Sequence, residues 1–254
     1  MAREYFQSRV LEVRPLCGNV KHVVFERADG KPTPYAPGQF MQVHFQGQEG
    51  VEIYRSYSIA APPRETHDQF ALCVKLVEGG QGSTLIHSLK EGDEVKTSGA
   101  HGRFTLRGEK PEDLILVATG TGIAPFRSMY EQLRAMLDER RVWVLMGVRH
   151  TDELLYHDDF LALAEHPNMR YRTTVSRPDA SWTGAKGYVG QFMDEIRGTT
   201  NPATSLVYLC GVPQMVDEIR TSFQSLGLPI RAIRSEKFVS PPKPGTKAAA
   251  TEEE

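Results

Sequence analysis

The sequence has 254 residues, 40% hydrophobic and 24% charged, with a formal net charge of −2, enough for one large domain or two of about 100–150 residues each. Acidic and basic residues are interleaved and no apolar run approaches a membrane span, so neither a nucleic-acid surface nor a membrane span is expected. The 3 cysteines, Cys17, Cys73 and Cys210, match no Cys-x-x-C spacing; they cannot ligate a four-cysteine iron–sulfur cluster, and no metal site is expected.

From Tyr5 to about Arg107 the chain reads as short strands separated by turn signals, at 7–12, 22–26, 39–45, 55–60, 70–77 and 94–99. Within 70–77, Phe70, Leu72, Val74 and Leu76 share one face at period two. Pro37-Gly38, Pro62-Pro63 and Gly92-Asp93 punctuate the strands, and 83–90 has helical composition. This spacing suggests a small antiparallel barrel. Two places in it can carry chemistry. Arg55-Ser56-Tyr57-Ser58 offers a guanidinium suited to a pyrophosphate and a flat phenol ring, which alternation puts on one face, with the two serines on the other. Gly80-Gln81-Gly82-Ser83-Thr84 opens the helix, as either a phosphate cradle or a plain glycine turn with Ser83 as its cap.

Leu114-Ile115-Leu116-Val117 then reads as a strand buried on both faces, the pattern of a parallel sheet. Thr119-Gly120-Thr121-Gly122 follows as a tight turn, and Pro125 suits the first turn of a helix whose Met129, Tyr130, Leu133, Met136 and Leu137 form an apolar face. Strand, glycine turn and helix start make a cradle of N–H groups for a pyrophosphate, although Pro125 stands where the dinucleotide fingerprint Gly-x-Gly-x-x-Gly has its last glycine. Beyond it the pattern alternates strand and helix: 142–148, 153–164, 171–175, 191–196, 206–211, 215–226. A doubly wound parallel sheet is expected, with ligands at the carboxyl ends of its strands. Gly147 to Arg149, Ser176-Arg177 and Cys210-Gly211 fall at such ends.

Taken in order, these pieces resemble the ferredoxin–NADP reductase family, from about Phe6 to Phe238. Arg55-Ser56-Tyr57-Ser58 resembles its R-x-Y-S flavin motif and Gly80 to Ser83 its G-x-x-S flavin-phosphate motif. Ala118 to Arg127 is similar, almost letter for letter, to its pyridine-nucleotide turn, and Cys210-Gly211 to the C-G pair beside the nicotinamide. The resemblance implies an antiparallel β-barrel flavin domain over residues 1–110, followed by an α/β doubly wound nucleotide-binding domain over 111–240. The low hydrophobicity of 241–254 implies a disordered tail.

It implies roles as well. FAD would be held by Arg55, Ser56, Tyr57, Ser58, Gly80, Gly82, Ser83 and Thr84, with Arg55 on phosphate, Tyr57 stacked on the isoalloxazine and Phe238 as an aromatic screen. Ser58, Cys210 and Glu236 would stand at the reacting centre. The nucleotide would be held by Thr119, Gly120, Thr121, Gly122, Pro125, Arg149, Cys210 and Gly211. Ser176-Arg177 and Lys186-Gly187-Tyr188 resemble the S-R…K-x-Y arrangement by which NADPH-using members hold the 2′-phosphate and stack on adenine. Pro178 and the insert Asp179-Ala180-Ser181-Trp182-Thr183-Gly184 resemble NADH-using oxygenase reductases instead, so NADPH is expected and NADH is the alternative.

The implied activity is electron exchange between NADPH and ferredoxin or flavodoxin through FAD. The alternatives are the NADH-dependent reductase component of an oxygenase, or a non-catalytic electron-transfer subunit of a larger complex. The start Met-Ala-Arg-Glu has no apolar signal segment, so a cytoplasmic protein is expected. The oligomeric state has no signature in the sequence.

Overall fold

The structure, a computed structural model, describes residues 4–47, 50–106, 108 and 111–238; the tail expected over 241–254 lies outside the described residues. Strands β1 (Tyr5–Cys17) and β2 (Val20–Arg27) form a hairpin, and β3 (Phe40–Gln46), β4 (Glu52–Ser58), β5 (Gln69–Lys75) and β6 (Glu94–His101) complete a 6-stranded sheet. Its order is β4-β3-β6-β1-β2-β5, and every neighbouring pair is antiparallel. The two ends of that row meet. Ile59, just past β4, bridges Leu72 of β5, and the Ala60 N–H donates to the Ala71 carbonyl at 2.8 Å. The sheet thus closes into the expected barrel, which leaves few unpaired edges.

Alternate residues fill the barrel: Val23, Phe25, Met41, Val43, Phe70 and Leu72 are all buried. The period-two face over 70–77 needs one correction. Phe70, Leu72 and Val74 are buried, but Leu76 is exposed because β5 ends at Lys75. Helix α1 (Gln81–Ser88) follows and buries Ile86 against the barrel core.

The second sheet has 6 parallel strands: β7 (Asp113–Thr119), β8 (Arg141–Val148), β9 (Met169–Val175), β10 (Ala185–Lys186), β11 (Ser205–Gly211) and β12 (Ile233–Lys237). The order β10-β9-β8-β7-β11-β12 means that the chain leaves β7 in one direction, then returns across it. Alternation along β7 sends Leu114, Leu116 and Ala118 into one apolar layer with Phe126, Leu133 and Phe160. Ile115 and Val117 go into the other layer, with Ile196, Val216 and Ile219. Helices α2 (Ala124–Ser128), α3 (Tyr130–Met136) and α4 (His157–Ala164) cover the first face, while α5 (Met193–Thr199) and α6 (Pro213–Ser225) cover the second. Burial on both sides explains the unbroken apolar run of β7. Among the described residues, no helix is long and apolar enough to cross a membrane.

Two helices expected to be continuous are interrupted. The helix after Pro125 breaks at Met129 (φ −83°, ψ 0°), where the Ser128 hydroxyl turns back to the Pro125 carbonyl at 2.7 Å and accepts the Gly38 N–H of the barrel at 2.8 Å. The expected helix over 153–164 begins only at His157, because Tyr156 is left-handed (φ 55°). Tertiary contacts impose that conformation. The Tyr156 hydroxyl lies 2.9 Å from His22 Nδ1 on β2, and the Arg127 guanidinium sits 4.4 Å from the centre of the Tyr156 ring. Arg127 also donates to the Ala60 carbonyl at 2.5 Å and pairs with Asp159 at 2.8 Å. Barrel and sheet are thereby joined through one packed seam, to which Ala60, Cys73 and Phe104 contribute from the barrel side.

Candidate active site

Between the barrel and the carboxyl ends of the parallel strands runs one cleft of about 1040 Å³. It lies where the strand order reverses at β7, the place where open α/β sheets bind ligands. Both motif sets reach it: Arg55, Ser56, Tyr57, Ser58, Gly80, Gly82 and Ser83 from the barrel, and Thr119, Gly120, Thr121, Arg149, Ser176 and Tyr188 from the sheet.

On the barrel side, Arg55 and Tyr57 do share a face, and that face looks onto the start of α1. A β-carbon on Gly82 would lie 2.8 Å from both Arg55 Cγ and the Tyr57 hydroxyl. Only glycine lets the helix start come this close to the strand. Ser56 and Ser58 line the cleft as well, because β4 is an end strand of the sheet row. Burial pushes the Tyr57 phenol up to about 12, against the lowering effect of Arg55, so the ring stays neutral well into the alkaline range.

The Ser83 hydroxyl is used internally. It accepts the Val77 N–H at 3.0 Å and donates to the Gly80 carbonyl at 3.0 Å, fixing the glycine loop. Thr84 is exposed, does not line the cleft, and donates its N–H to the Gly80 carbonyl at 2.9 Å. The N–H groups of Gln81, Gly82 and Ser83 precede the first intrahelical bond, and α1 has no side-chain cap to take them. A flat neutral ring, a guanidinium and a helix start bared by glycine are what a flavin dinucleotide needs, and the site fits it.

On the sheet side, Gly122 and Gly211 permit the closest backbone approach. A β-carbon on Gly122 would lie 2.2 Å from the Cys210 carbonyl oxygen, and Gly211 (φ 147°) brings its α-carbon against the same turn. The Thr119 hydroxyl accepts the Val212 N–H at 3.0 Å and so ties β7 to the start of α6. Gly122, Pro125 and Gly211 therefore shape the turn from below and do not line the cleft. Arg177 and Lys186 are exposed and lie outside the lining, but their neighbours Ser176 and Gly187 belong to it. The two are brought to one corner: Lys186 pairs with Val175 across β10 and β9, and the Arg177 N–H donates to the Arg149 carbonyl at 2.8 Å. Tyr188 stands 79% exposed at that corner, a free ring face.

Where the halves meet, Glu236 and Phe238 line the cleft, and the Phe238 N–H donates to the Gly211 carbonyl at 2.8 Å. Burial raises the Glu236 carboxyl to about 7, so it holds or releases a proton near neutrality. Cys210 pairs with Glu236 in register but is fully buried and does not line the cleft. Burial first, and the Glu236 charge second, push its thiol well above the usual range.

Comparison with known proteins decides the family. Residues 7–106 match the Oxidoreductase FAD-binding domain, and residues 116–221 match the Oxidoreductase NAD-binding domain. The chain is 36% identical over 244 residues to ferredoxin–NADP reductase B of Sorangium cellulosum (strain So ce56), covering 92% of this chain and 98% of that one. The chain belongs to the ferredoxin–NADP reductase family. It is an FAD-dependent NAD(P)H oxidoreductase. The reductase is also 35% identical to the reductase component of phenol 2-monooxygenase from Pseudomonas sp. (strain CF600), over 82% of this chain and 59% of that protein. Among solved structures, the Amycolatopsis cytochrome P450 reductase superposes with a TM-score of 0.80 at 26% identity, covering 93% of this chain and 70% of that one.

Sequence reasoning missed part of the reductase's cleft. Phe40, Cys73 and Lys75 enter from barrel strands with no motif around them, and Gln214, Met215 and Glu218 enter from the first turns of α6. The latter had a usable signal, since a helix starting directly after a strand-ending Cys-Gly must turn its first residues toward the strand ends.

Proposed function

We propose that the reductase passes electrons between NADPH and a ferredoxin or flavodoxin. The observation that carries this reading is the single cleft, in which the flavin-type residues of the barrel and the nucleotide-type residues of the sheet share one space. The 36% identity to a ferredoxin–NADP reductase over 98% of that relative supports it further. When bound, FAD supplies two-electron exchange with the nicotinamide and one-electron exchange with a protein partner.

The chain's own residues do the rest. Arg55 and the N–H groups of Gly82 and Ser83 would hold flavin phosphates, Tyr57 would offer its ring as a stacking face, and the Ser58 hydroxyl would supply a hydrogen bond to the flavin. The Thr119–Gly122 turn takes the nucleotide pyrophosphate, Ser176, Arg177 and Lys186 take the 2′-phosphate, and Tyr188 stacks on adenine. Phe238 would screen the flavin side of the cleft, Cys210 would shape the floor beneath, and Glu236 Oε would hold or yield a proton.

The alternative is an NADH-dependent oxygenase reductase working through a separate ferredoxin. The relationship to the phenol 2-monooxygenase reductase component and the turn over 179–184 favour it. Rapid mixing of the FAD-loaded protein with NADPH and NADH separately, followed by ferredoxins and flavodoxins, separates the two. Faster reduction by NADPH with onward transfer to either carrier is expected; a preference for NADH overturns the NADPH assignment.

A further inference from the structure

The loop after β8 contains a carboxylate that reaches across the cleft. Glu153 Oε2 accepts two backbone N–H groups, those of Arg149 and His150, at 3.1 Å each. Its Oε1 accepts Lys75 Nζ at 2.9 Å, and Lys75 is the last residue of barrel strand β5. The Glu153 side chain is 15% exposed, Lys75 is 44% exposed, and both line the cleft.

Capping a short turn needs only one acceptor oxygen. Here the second oxygen is spent on the other half of the molecule, 78 residues away in sequence. The two ends of this link are placed to matter. Two residues beyond Lys75, the Val77 N–H donates to the Ser83 hydroxyl of the flavin-side loop. At the other end, the Arg149 carbonyl accepts the Arg177 N–H at 2.8 Å, and the Val148 carbonyl accepts the Ser176 N–H at 3.0 Å. One carboxylate thus stands between the flavin-side loop and the corner that presents Arg149, Ser176 and Arg177.

We propose that Glu153 is a positioning residue for the nucleotide: it fixes the backbone that carries Arg149 and ties that backbone across the cleft to Lys75. The carboxylate itself does not contact the nucleotide. Without it, two N–H groups at the end of β8 lose their acceptor, the Arg149 loop relaxes, and the strand-end corner loses its fixed distance from the barrel. The effect falls on binding, because only interactions common to bound ground and transition states are changed. This inference rests on the reading that the corner at Arg149 and Ser176 takes the nucleotide.

The test is calorimetric titration of NADP⁺ and NAD⁺ into the FAD-loaded wild type, Glu153→Ala, Glu153→Gln, Lys75→Met and the Gln/Met double variant, with steady-state KM and kcat alongside. Wild type that binds neither nucleotide refutes the reading beneath the inference, and the inference with it. Given wild-type binding, Glu153→Ala is expected to weaken it about tenfold while kcat stays within about twofold. Glu153→Gln keeps an acceptor for the N–H groups but not the ion pair, and is expected to fall between wild type and Glu153→Ala. The double variant is expected to be no worse than the weaker single one, since both remove the same ion pair. Unchanged affinity in Glu153→Ala overturns the proposal, as do independent, multiplying effects in the double variant. Loss of FAD from Glu153→Gln and Lys75→Met with normal affinity in the remaining loaded fraction overturns it too, since that marks a purely structural role.

Discussion

The two halves of the cleft present their candidate binding residues by different means. The barrel offers side chains from the last residues of one strand, Arg55 to Ser58 of β4, set against a helix start whose loop is fixed by the buried Ser83 hydroxyl. The parallel sheet offers strand ends and backbone: Thr119 to Thr121 at the end of β7, Arg149 after β8 and Ser176 after β9, with its cations Arg149, Arg177 and Lys186 exposed. A closed barrel holds its strand at a fixed height, so a resident cofactor would meet a finished surface. An open sheet presents a row of turns, with long exposed cations at its edge. That contrast suits a cofactor that stays and a substrate that leaves.

The contrast breaks most sharply at two glycines. A β-carbon on Gly122 would meet backbone, the Cys210 carbonyl oxygen at 2.2 Å, which cannot move without disturbing β11. Gly122→Ala is expected to cost about 3–5 kcal/mol of stability, whether or not FAD is present. On Gly82 the same atom would meet side chains, Arg55 and Tyr57, which can swing aside. Gly82→Ala is therefore expected to keep the fold and lose FAD affinity. Thermal unfolding with and without added FAD checks both, and equal destabilisation by the two changes would erase the distinction.

Glu236, at the junction, gives the next effect. Its carboxyl is raised by burial from 4.5 to about 7. The protonated form is the one the fold tolerates, so its stability contribution is complete below about 4.5 and lost as pH rises through about 7. Each tenfold change in proton affinity is worth about 1.4 kcal/mol, and residual exposure holds the total to about 2–3 kcal/mol. Glu236→Gln should accordingly gain on the wild type between pH 5 and pH 8 in melting temperature. A constant difference across that range would show that the carboxylate is solvated.

A smaller effect falls on the sheet side. A charge-assisted bond to a 2′-phosphate contributes about 1.5–3 kcal/mol where water is largely excluded, and the exposed setting of Arg177 and Lys186 lowers that. Arg177→Ala should raise the apparent KM for NADPH about tenfold and that for NADH much less, with Lys186→Ala acting in the same direction. Equal losses with both nucleotides would assign these residues to the adenine pocket.

What could be read from the sequence follows the same division. The buried strand over Leu114 to Val117 and its glycine turn were legible because burial on both faces writes an unbroken apolar run. The R-x-Y-S strand was legible because alternation fixes which residues share a face, and Gly82 packs against the pair it selects. The helix expected over 153–164 failed for a reason outside its own residues. Tyr156 takes a left-handed conformation to reach His22, 134 positions away, and no local pattern encodes such a partner. Lys75 and Glu153 were invisible for the same reason: each is an ordinary charged residue until the two halves are packed.

The smallest effect sharpens the barrel side. Tyr57 lines the cleft and is half-buried, and burial pushes its phenol up to about 12. If its ring is a stacking face, removal costs about 0.5–1.5 kcal/mol beyond buried area, a loss of FAD affinity of about twofold to somewhat over tenfold. Tyr57→Ala alone is ambiguous, since it also deletes the atom packed against Gly82. Tyr57→Phe separates the two contributions: the ring stays and only the hydroxyl goes. Stacking requires that Phe bind FAD within about twofold of wild type while Ala falls by several-fold. Should Phe lose as much as Ala, the hydroxyl at the helix start would be the working group, and the barrel would hold flavin by polar contacts at α1 and not by a ring face.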